Sequence, residues 1–483
     1  MKKIDYHRMS DAEFHAHQVN FWRTIGDIDT HWDDERPHRI SFPKAYFEEV
    51  PYLKIGNPFR SIGIFGGAGS GKTESLFKPI IKHAVDTNSG IILYDYKSPE
   101  LAEFLKSLKP KLPVYHVDFD NPEESAKINP IAPHYISNTL SALELAESLY
   151  YNLNPKALSG SKDPFWDNCA VSIIQASIWF LKVHSPEECN IPTLVELLLR
   201  DIKDVLTVLR EDEKCRKILA SVLGALDSPN LLSSISSSVQ SPLSKLIEDD
   251  ISLIMGADES PLDVNNPDKP CILIVGMNQE TPQAYSPLVS LIITAALRRM
   301  NKPDKVQSYV ILDEAPTIYI PRIEDYPAVT RSRRIAFVYG AQDISQVDKA
   351  YGKERRQALM TNLGTQFFGR TPNSETIKYI VSLFGKEERE FESHSQGSSE
   401  SSNASGEGWS ESSNVSTSLQ QRDIITPQII TGFEPGEFAF IGTDVYPGQS
   451  KNDLVSISRL GGFAEQMEWE KPYRSFWDKL FRR

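Results

Sequence analysis

The chain is predicted to be an α/β protein whose parallel sheet is buried on both faces, and three observations carry that reading. The first is a set of short β-type runs, each followed by a helical pattern: SIGIF (61–65), IILYDY (91–96), PVYHVDF (113–119), CILIVGM (271–277), YVILDE (309–314), IAFVYG (335–340), TQFFG (365–369) and EFAFIG (437–442). Their apolar residues are continuous rather than alternating, which is how strands covered on both sides read. The second is the glycine-rich turn that follows the first run and leads into a helix expected over Thr73–Ala84. The third is the disappearance of strands between about 136 and 261. Runs such as LSALELAESLYYNL, DNCAVSIIQASIWFLKV, PTLVELLLRDIKDVLTVLRE and KCRKILASVLGAL there carry apolar residues at i, i+3/i+4.

These patterns divide the chain. Residues 1–58 form an N-terminal extension, polar and aromatic, with prolines at 37, 43, 51 and 58 and no clear period. Residues 59–135 and 262–483 form the nucleotide-binding α/β domain, and 136–261 an all-α domain inserted between its third and fourth strands. The acidic strand that completes the site lies beyond the insert. The tract 393–418 (SHSQGSSESSNASGEGWSESSNVSTS) is almost devoid of apolar side chains and is expected to be a flexible linker or loop. A length of 483 residues agrees with two or three domains.

The formal net charge of −13 argues against a generally basic nucleic-acid coat while leaving room for a local basic channel. Four scattered cysteines, Cys169, Cys189, Cys215 and Cys271, lack CxxC spacing, so neither a disulfide framework nor a zinc site is expected, and a reducing cytosol fits. The start, MKKIDYHRMSDAEFHAH, has no apolar core of a signal peptide. The most apolar stretch, Leu288–Leu297, ends in Arg298–Arg299 and is about half the ~20 residues a spanning helix needs. A soluble chain is expected, with any membrane link made through a partner.

Gly66-x-x-x-x-Gly71-Lys72-Thr73 matches the phosphate-binding loop pattern. Gly66, Gly67, Ala68, Gly69, Ser70, Gly71, Lys72 and Thr73 are the expected ATP-binding residues. The glycines let backbone N–H groups converge on phosphate oxygens, and the helix N-terminus adds its partial positive charge. Lys72 is expected to reach the β/γ-phosphates and the Thr73 hydroxyl to ligate Mg²⁺. The other half of the site should be an apolar strand ending in an acid, and VILDEA (310–315) supplies it. Asp313 is expected to hold Mg²⁺ through water and Glu314 to polarise the attacking water. Gln342, after the apolar run FVYGA, is expected to sense the γ-phosphate or orient water. Of Arg331, Arg333 and Arg334 in TRSRRIAF, Arg331 is the favoured arginine finger toward a neighbouring subunit.

Other features are read as structural. His15 and His17 lack nearby ligands and are read as a surface pair. The terminal YRSFWDKLFRR is read as a helix packed on its own domain, and Phe165–Trp166 as core. Two basic clusters, Lys97, Lys106, Lys109 and Lys111, and Arg298, Arg299, Lys302 and Lys305, are candidates for tracking nucleic-acid phosphates or are solvated helix ends.

Taken in order, these elements resemble the type IV coupling proteins, the conjugative DNA-transfer ATPases of the TraG/TraD type within the FtsK/HerA group. YDYKSPE (94–100) resembles the family's Asp-x-Lys-Gly-Glu stretch, with Asp95 and Lys97 matching and Ser98–Pro99 in place of the glycine. INPIAP (128–133) and DPFWDNCA (163–170) resemble the segments flanking the start of the all-α domain. LDEAPTIYIPRIEDYPAVTRSRRIAFVYGAQDISQVDKAYG (312–352) is the longest match, and it places Arg331 and Gln342 on the family's arginine and glutamine positions. NSETIKYIVSLFGKEE, the serine-rich tract and RDIITPQIITGFEPGEFAFIG are similar to the family's ending. The resemblance covers roughly residues 60–460.

The resemblance implies a RecA-like core that hydrolyses ATP with Mg²⁺ and works as a homo-hexamer. Its partners would be DNA, single-stranded and passing through a central pore, a relaxase and the proteins of a type IV secretion channel. Family members usually begin with transmembrane helices and this chain has none. A soluble subtype is therefore expected, cytoplasmic and held at the inner face of the cell membrane through a separate anchoring protein. The expected function is an ATP-driven coupling protein that carries a relaxase–DNA complex toward the channel. Two alternatives remain open: a coupling ATPase that recruits protein effectors, and a scaffolding ATPase in which nucleotide acts as a switch.

Overall fold

The computed structural model describes residues 40–43, 52–159, 164–224, 228–403, 406–442, 445–446 and 455–459, and the structural statements below refer to these. The central element is a nine-stranded sheet. Its strands are β3 (Ile62–Phe65), β4 (Gly90–Asp95), β5 (Val114–Val117), β6 (Ile272–Gly276), β7 (Ser308–Leu312), β8 (Ile335–Ala341), β9 (Thr365–Phe368), β12 (Glu437–Gly442) and β14 (Val455–Arg459). They lie in the order β14-β12-β9-β3-β8-β7-β4-β6-β5. From β9 to β5 all neighbours are parallel, while β12 runs antiparallel to β9 and β14 antiparallel to β12. The eight expected runs are all strands of this sheet.

Their continuous apolarity has a direct cause in the packing. Side chains alternate between two separate cores: Ile64, Ile91, Leu93, Ile274 and Ile311 face one, and Phe65, Ile92, Tyr94, Val275 and Leu312 the other. The first core is covered by the helices Lys78–Asp86 and Glu100–Ser107, whose Ile80, Ile81, Leu101 and Leu105 are buried. The second is covered by the helix Pro282–Met300 and by the helical insert.

The insert lies between β5 and β6, and its helices start where the sequence caps them. Asn138, Asn190, Asp201 and Asp212 each accept a backbone N–H of the following first turn. Its core is continuous with one face of the sheet. The helix Thr139–Leu153 packs against Pro282–Met300, with Ser148 Oγ 2.9 Å from Ser290 Oγ. Asn152 Nδ2 donates to the Tyr319 carbonyl at 2.7 Å. One hydrophobic cluster runs from the sheet through the insert.

Two expectations are corrected. The serine-rich tract, expected to be flexible, forms a two-stranded antiparallel ribbon of β10 (Lys386–Asn403) and β11 (Gly406–Asp423), paired in register from Lys386↔Asp423 to Asn403↔Gly406. Apolar content reports burial, whereas a ladder is held by backbone hydrogen bonds that need no apolar side chain. Phe165, expected in the core, is exposed at the start of the helix Pro164–His184, with its ring edge-on to the half-buried Trp166. The extension, in which the sequence shows no clear period, contributes β1 (Ile40–Pro43) and β2 (Tyr52–Ile55), which join β13 (Val445–Tyr446) in a small antiparallel sheet. His15, His17 and the terminal YRSFWDKLFRR lie outside the described residues.

Candidate nucleotide-binding site

The site sits at the C-terminal edge of the parallel strands, at the end of β3. Gly66 N–H donates to the Ala341 carbonyl (3.2 Å) and Gly67 N–H to the Arg370 carbonyl (2.8 Å), so the loop is stitched to both neighbouring strands. Gly69 and Gly71 adopt φ of +73° and +90°, the left-handed region that suits glycine. At Gly71 space is also short, since a Cβ would fall 2.6 Å from the backbone nitrogen of Gly436. That nitrogen donates to the Ser70 carbonyl at 3.0 Å, so the segment after the ribbon lies directly on the loop. The loop then enters a helix that opens with one π-turn, Thr73–Phe77, and continues as Lys78–Asp86.

Lys72 is buried. Its ammonium donates to the Gly66 carbonyl (2.5 Å) and lies 3.3 Å from Glu314 Oε1. Glu314 is itself buried and holds a left-handed backbone conformation (φ +48°) just past β7. The neighbouring Asp313 N–H donates to the Tyr94 carbonyl (3.2 Å). Burial, and then the Glu314 charge beside it, push the Asp313 carboxyl up to about 7, against the pull of Lys72. Asp95 ends β4, next to β7, and burial raises its carboxyl to about 6 although its Oδ2 accepts from the Leu101 and Ala102 N–H groups. Gln342 follows β8, which lies between β3 and β7, and the pairing Phe65↔Ala341 brings it level with Gly66. It is half-buried, and its N–H donates to Gln346 Oε1 at 3.4 Å.

The strand order thus brings Lys72, Thr73, Asp313, Glu314 and Gln342 to one edge from three separate stretches of chain. Arg331 is not among them. It lies exposed in the turn Arg331–Arg333 before β8, at the opposite edge of the sheet. The seven residues of β8 span roughly 23 Å at about 3.3 Å each. Arg331 therefore cannot serve the nucleotide site of its own chain. The residue set fits a magnesium–nucleotide: a buried cation, two buried carboxylates, a hydroxyl at Thr73, and a buried Ser70 Oγ with no hydrogen-bond partner among the described residues. Gly436 and the Arg370 carbonyl were not foreseen, since nothing in the local sequence says that they touch a loop some 300 residues earlier.

The second basic cluster is largely committed to the fold. Arg298 is ion-paired with Glu144, Lys305 Nζ lies 2.5 Å from Asp263 Oδ2, and Arg299 stacks over Tyr135 at 5.6 Å. In the first cluster Lys106 Nζ is 3.0 Å from His116 Nδ1. The four cysteines are buried and none is in a disulfide among the described residues. Among the described residues no helix is long and apolar enough to cross a membrane.

The fold and the site define a P-loop protein of RecA-like α/β architecture. The chain belongs to the type IV secretory system conjugative DNA transfer family, whose model matches residues 21–435. It is 20% identical over 362 residues to the coupling protein TraD of Escherichia coli (strain K12), a match that takes in 70% of this chain and 46% of TraD. It thus spans about half the length of that curated relative. Among solved structures, the unbound monoclinic form of the bacterial conjugative coupling protein TrwBdeltaN70 superposes with a TM-score of 0.64 at 14% identity, covering 84% of this chain and 86% of that one. The plasmid coupling protein TrwB in complex with ADP and Mg²⁺ does so with a TM-score of 0.61 at 15% identity, over the same shares.

Proposed function

We propose that this chain is an ATP-hydrolysing coupling protein that recruits a relaxase–DNA complex and drives the DNA, as a single strand through the central pore of a homo-hexamer, toward a type IV secretion channel. The observation that carries the reading is the buried Lys72–Glu314 pair, which joins the phosphate loop to the end of β7 across the strand that carries Gln342, in a chain of the conjugative DNA transfer family. The nucleotide complexes of TrwB and the name of TraD as a coupling protein support it. Contact with the membrane would be peripheral, at its cytoplasmic face, through a separate anchoring protein.

In this reading Ala68, Gly69 and Gly71 offer backbone N–H groups, and Ser70 its hydroxyl, to the phosphates. Thr73 and Asp313 would hold Mg²⁺, which would supply neutralisation of phosphate charge when bound. Lys72 exchanges Glu314 for a phosphate oxygen. That exchange frees the Glu314 carboxylate to accept the proton of the attacking water, and Gln342 orients that water. Arg331 completes the site of the next subunit, since its position at the far edge suits it to that neighbour alone.

The test is ATP hydrolysis with and without single-stranded DNA at low salt. Stimulation by DNA that disappears in Lys72→Ala is the expected result. Hydrolysis indifferent to DNA would sink the DNA-motor reading.

A further inference from the structure

A cleft of about 970 Å³ opens where the helical insert meets the α/β core, apart from the phosphate loop. Three lysines line it from different elements: Lys156 after the insert's first helix, Lys245 after the helix Pro229–Leu243, and Lys349 in the helix Ile344–Tyr351. Among the described residues no aspartate or glutamate lines it, in a chain of net charge −13. All three lysines are exposed, and none is in an ion pair among the described residues. The walls carry the half-buried Tyr96 and Tyr151 and the amides of Asn154 and Gln283. Unpaired cations, ring faces and side-chain amides in one groove match a phosphate backbone with unstacked bases.

Two wall residues touch the catalytic groups. Thr317 Oγ1 donates to the Glu314 carbonyl (2.6 Å), and Gln346 accepts from the Gln342 N–H (3.4 Å). A strand lying in the cleft would press on the turn that holds Glu314 and on the residue that tethers Gln342. We propose that this cleft binds a segment of single-stranded DNA, separately from any central pore, and that its occupancy sets hydrolysis through Thr317 and Gln346. The proposal rests on the DNA-motor reading above and adds to it the site that senses DNA.

The experiment compares the full chain with the triple variant Lys156→Glu/Lys245→Glu/Lys349→Glu, following anisotropy of a labelled oligodeoxythymidylate of about 20 nucleotides across a salt series, together with ATPase rates. The expected result is binding weakened about tenfold at low salt, with the salt slope reduced by about 2, from roughly 0.7 for each of three phosphates released. Basal hydrolysis should be unchanged and DNA stimulation lost. Unchanged basal hydrolysis also reports that the variant is folded. If wild-type hydrolysis responds to DNA and the triple variant responds equally, with the same salt slope, the cleft assignment is overturned while the motor reading stands. If wild-type hydrolysis ignores DNA, the motor reading and the assignment fall together. Saturable binding of a labelled poly-glutamate peptide in place of the oligonucleotide, abolished by the same variant, would overturn the assignment in favour of an acidic protein segment.

Discussion

Lys72 Nζ and Glu314 Oε1 lie 3.3 Å apart, with less than a tenth of either side chain exposed. The two residues come from the first and fifth parallel strands of the sequence, and β8 lies between those strands. In this pairing a buried cation and a buried carboxylate neutralise each other.

Removing one partner leaves the other buried and unpaired, which typically costs about 3–5 kcal/mol. Lys72→Met should therefore lower the urea midpoint of the nucleotide-free protein and abolish hydrolysis. Lys72→Met/Glu314→Gln should regain much of the lost stability and none of the activity. Equal losses in single and double variants would show that the pair is not coupled.

Asp95 and Asp313 are predicted to make the nucleotide-free protein less stable as pH rises. Their folded-state carboxyls are raised to about 6 and about 7, so the folded state binds more protons than the unfolded one between those values and the ordinary carboxylate range near 4. Stability contributed by each is fully present below about pH 4 and declines as pH climbs through the folded values. For Asp95 the loss is on the order of 3 kcal/mol. Asp95→Asn, whose side-chain oxygen can still accept from Leu101 and Ala102, should flatten the decline between pH 4 and 6 in urea titrations. An unchanged pH profile in that variant would remove Asp95 as its source.

Gly71→Ala should be severely damaging. Its Cβ would fall 2.6 Å from the Gly436 nitrogen, and φ there is +90°. The Ser70–Gly436 bond would have to break. Left-handed strain alone costs about 1–3 kcal/mol. Nucleotide binding, followed with a fluorescent ATP analogue, should weaken at least about fivefold on that basis. Wild-type affinity would mean that the Gly436 segment moves away freely.

Arg331→Ala subunits should be inactive alone, as should Glu314→Gln subunits, while mixtures should recover hydrolysis. A finger supplied across an interface leaves some mixed sites with both groups intact. No recovery at any mixing ratio would rule out the role for Arg331. Gln342→Ala placed in the same subunit as Glu314→Gln should leave that recovery intact, because both act in one site.

Much of the fold was legible in the chain. The eight apolar runs were readable because burial on both faces removes the polar alternation that an exposed sheet would carry. The loop from Gly66 to Thr73 was readable because phosphate binding needs glycines and a lysine at close sequence spacing. The ribbon β10–β11 was not legible, since its pairing rests on backbone groups that every residue carries. The same holds for β1 and β2, which are too short for a period to emerge. Arg298 and Lys305 appeared available for phosphates because their partners, Glu144 and Asp263, are far away in sequence.

The sequence by itself determined the α/β class, the helical insert, the phosphate loop and the identity of the acidic and glutamine positions, because each is written in local spacing or short-range chemistry. Only the tertiary structure decided which of them meet. The order β3-β8-β7-β4 sets Gln342 beside the loop and closes Glu314 on Lys72. The same order sends Arg331 to the far edge, beyond reach of its own site. The grouping of Lys156, Lys245 and Lys349 belongs wholly to the third dimension, since three helical segments far apart in sequence share a cleft through packing that no local pattern encodes.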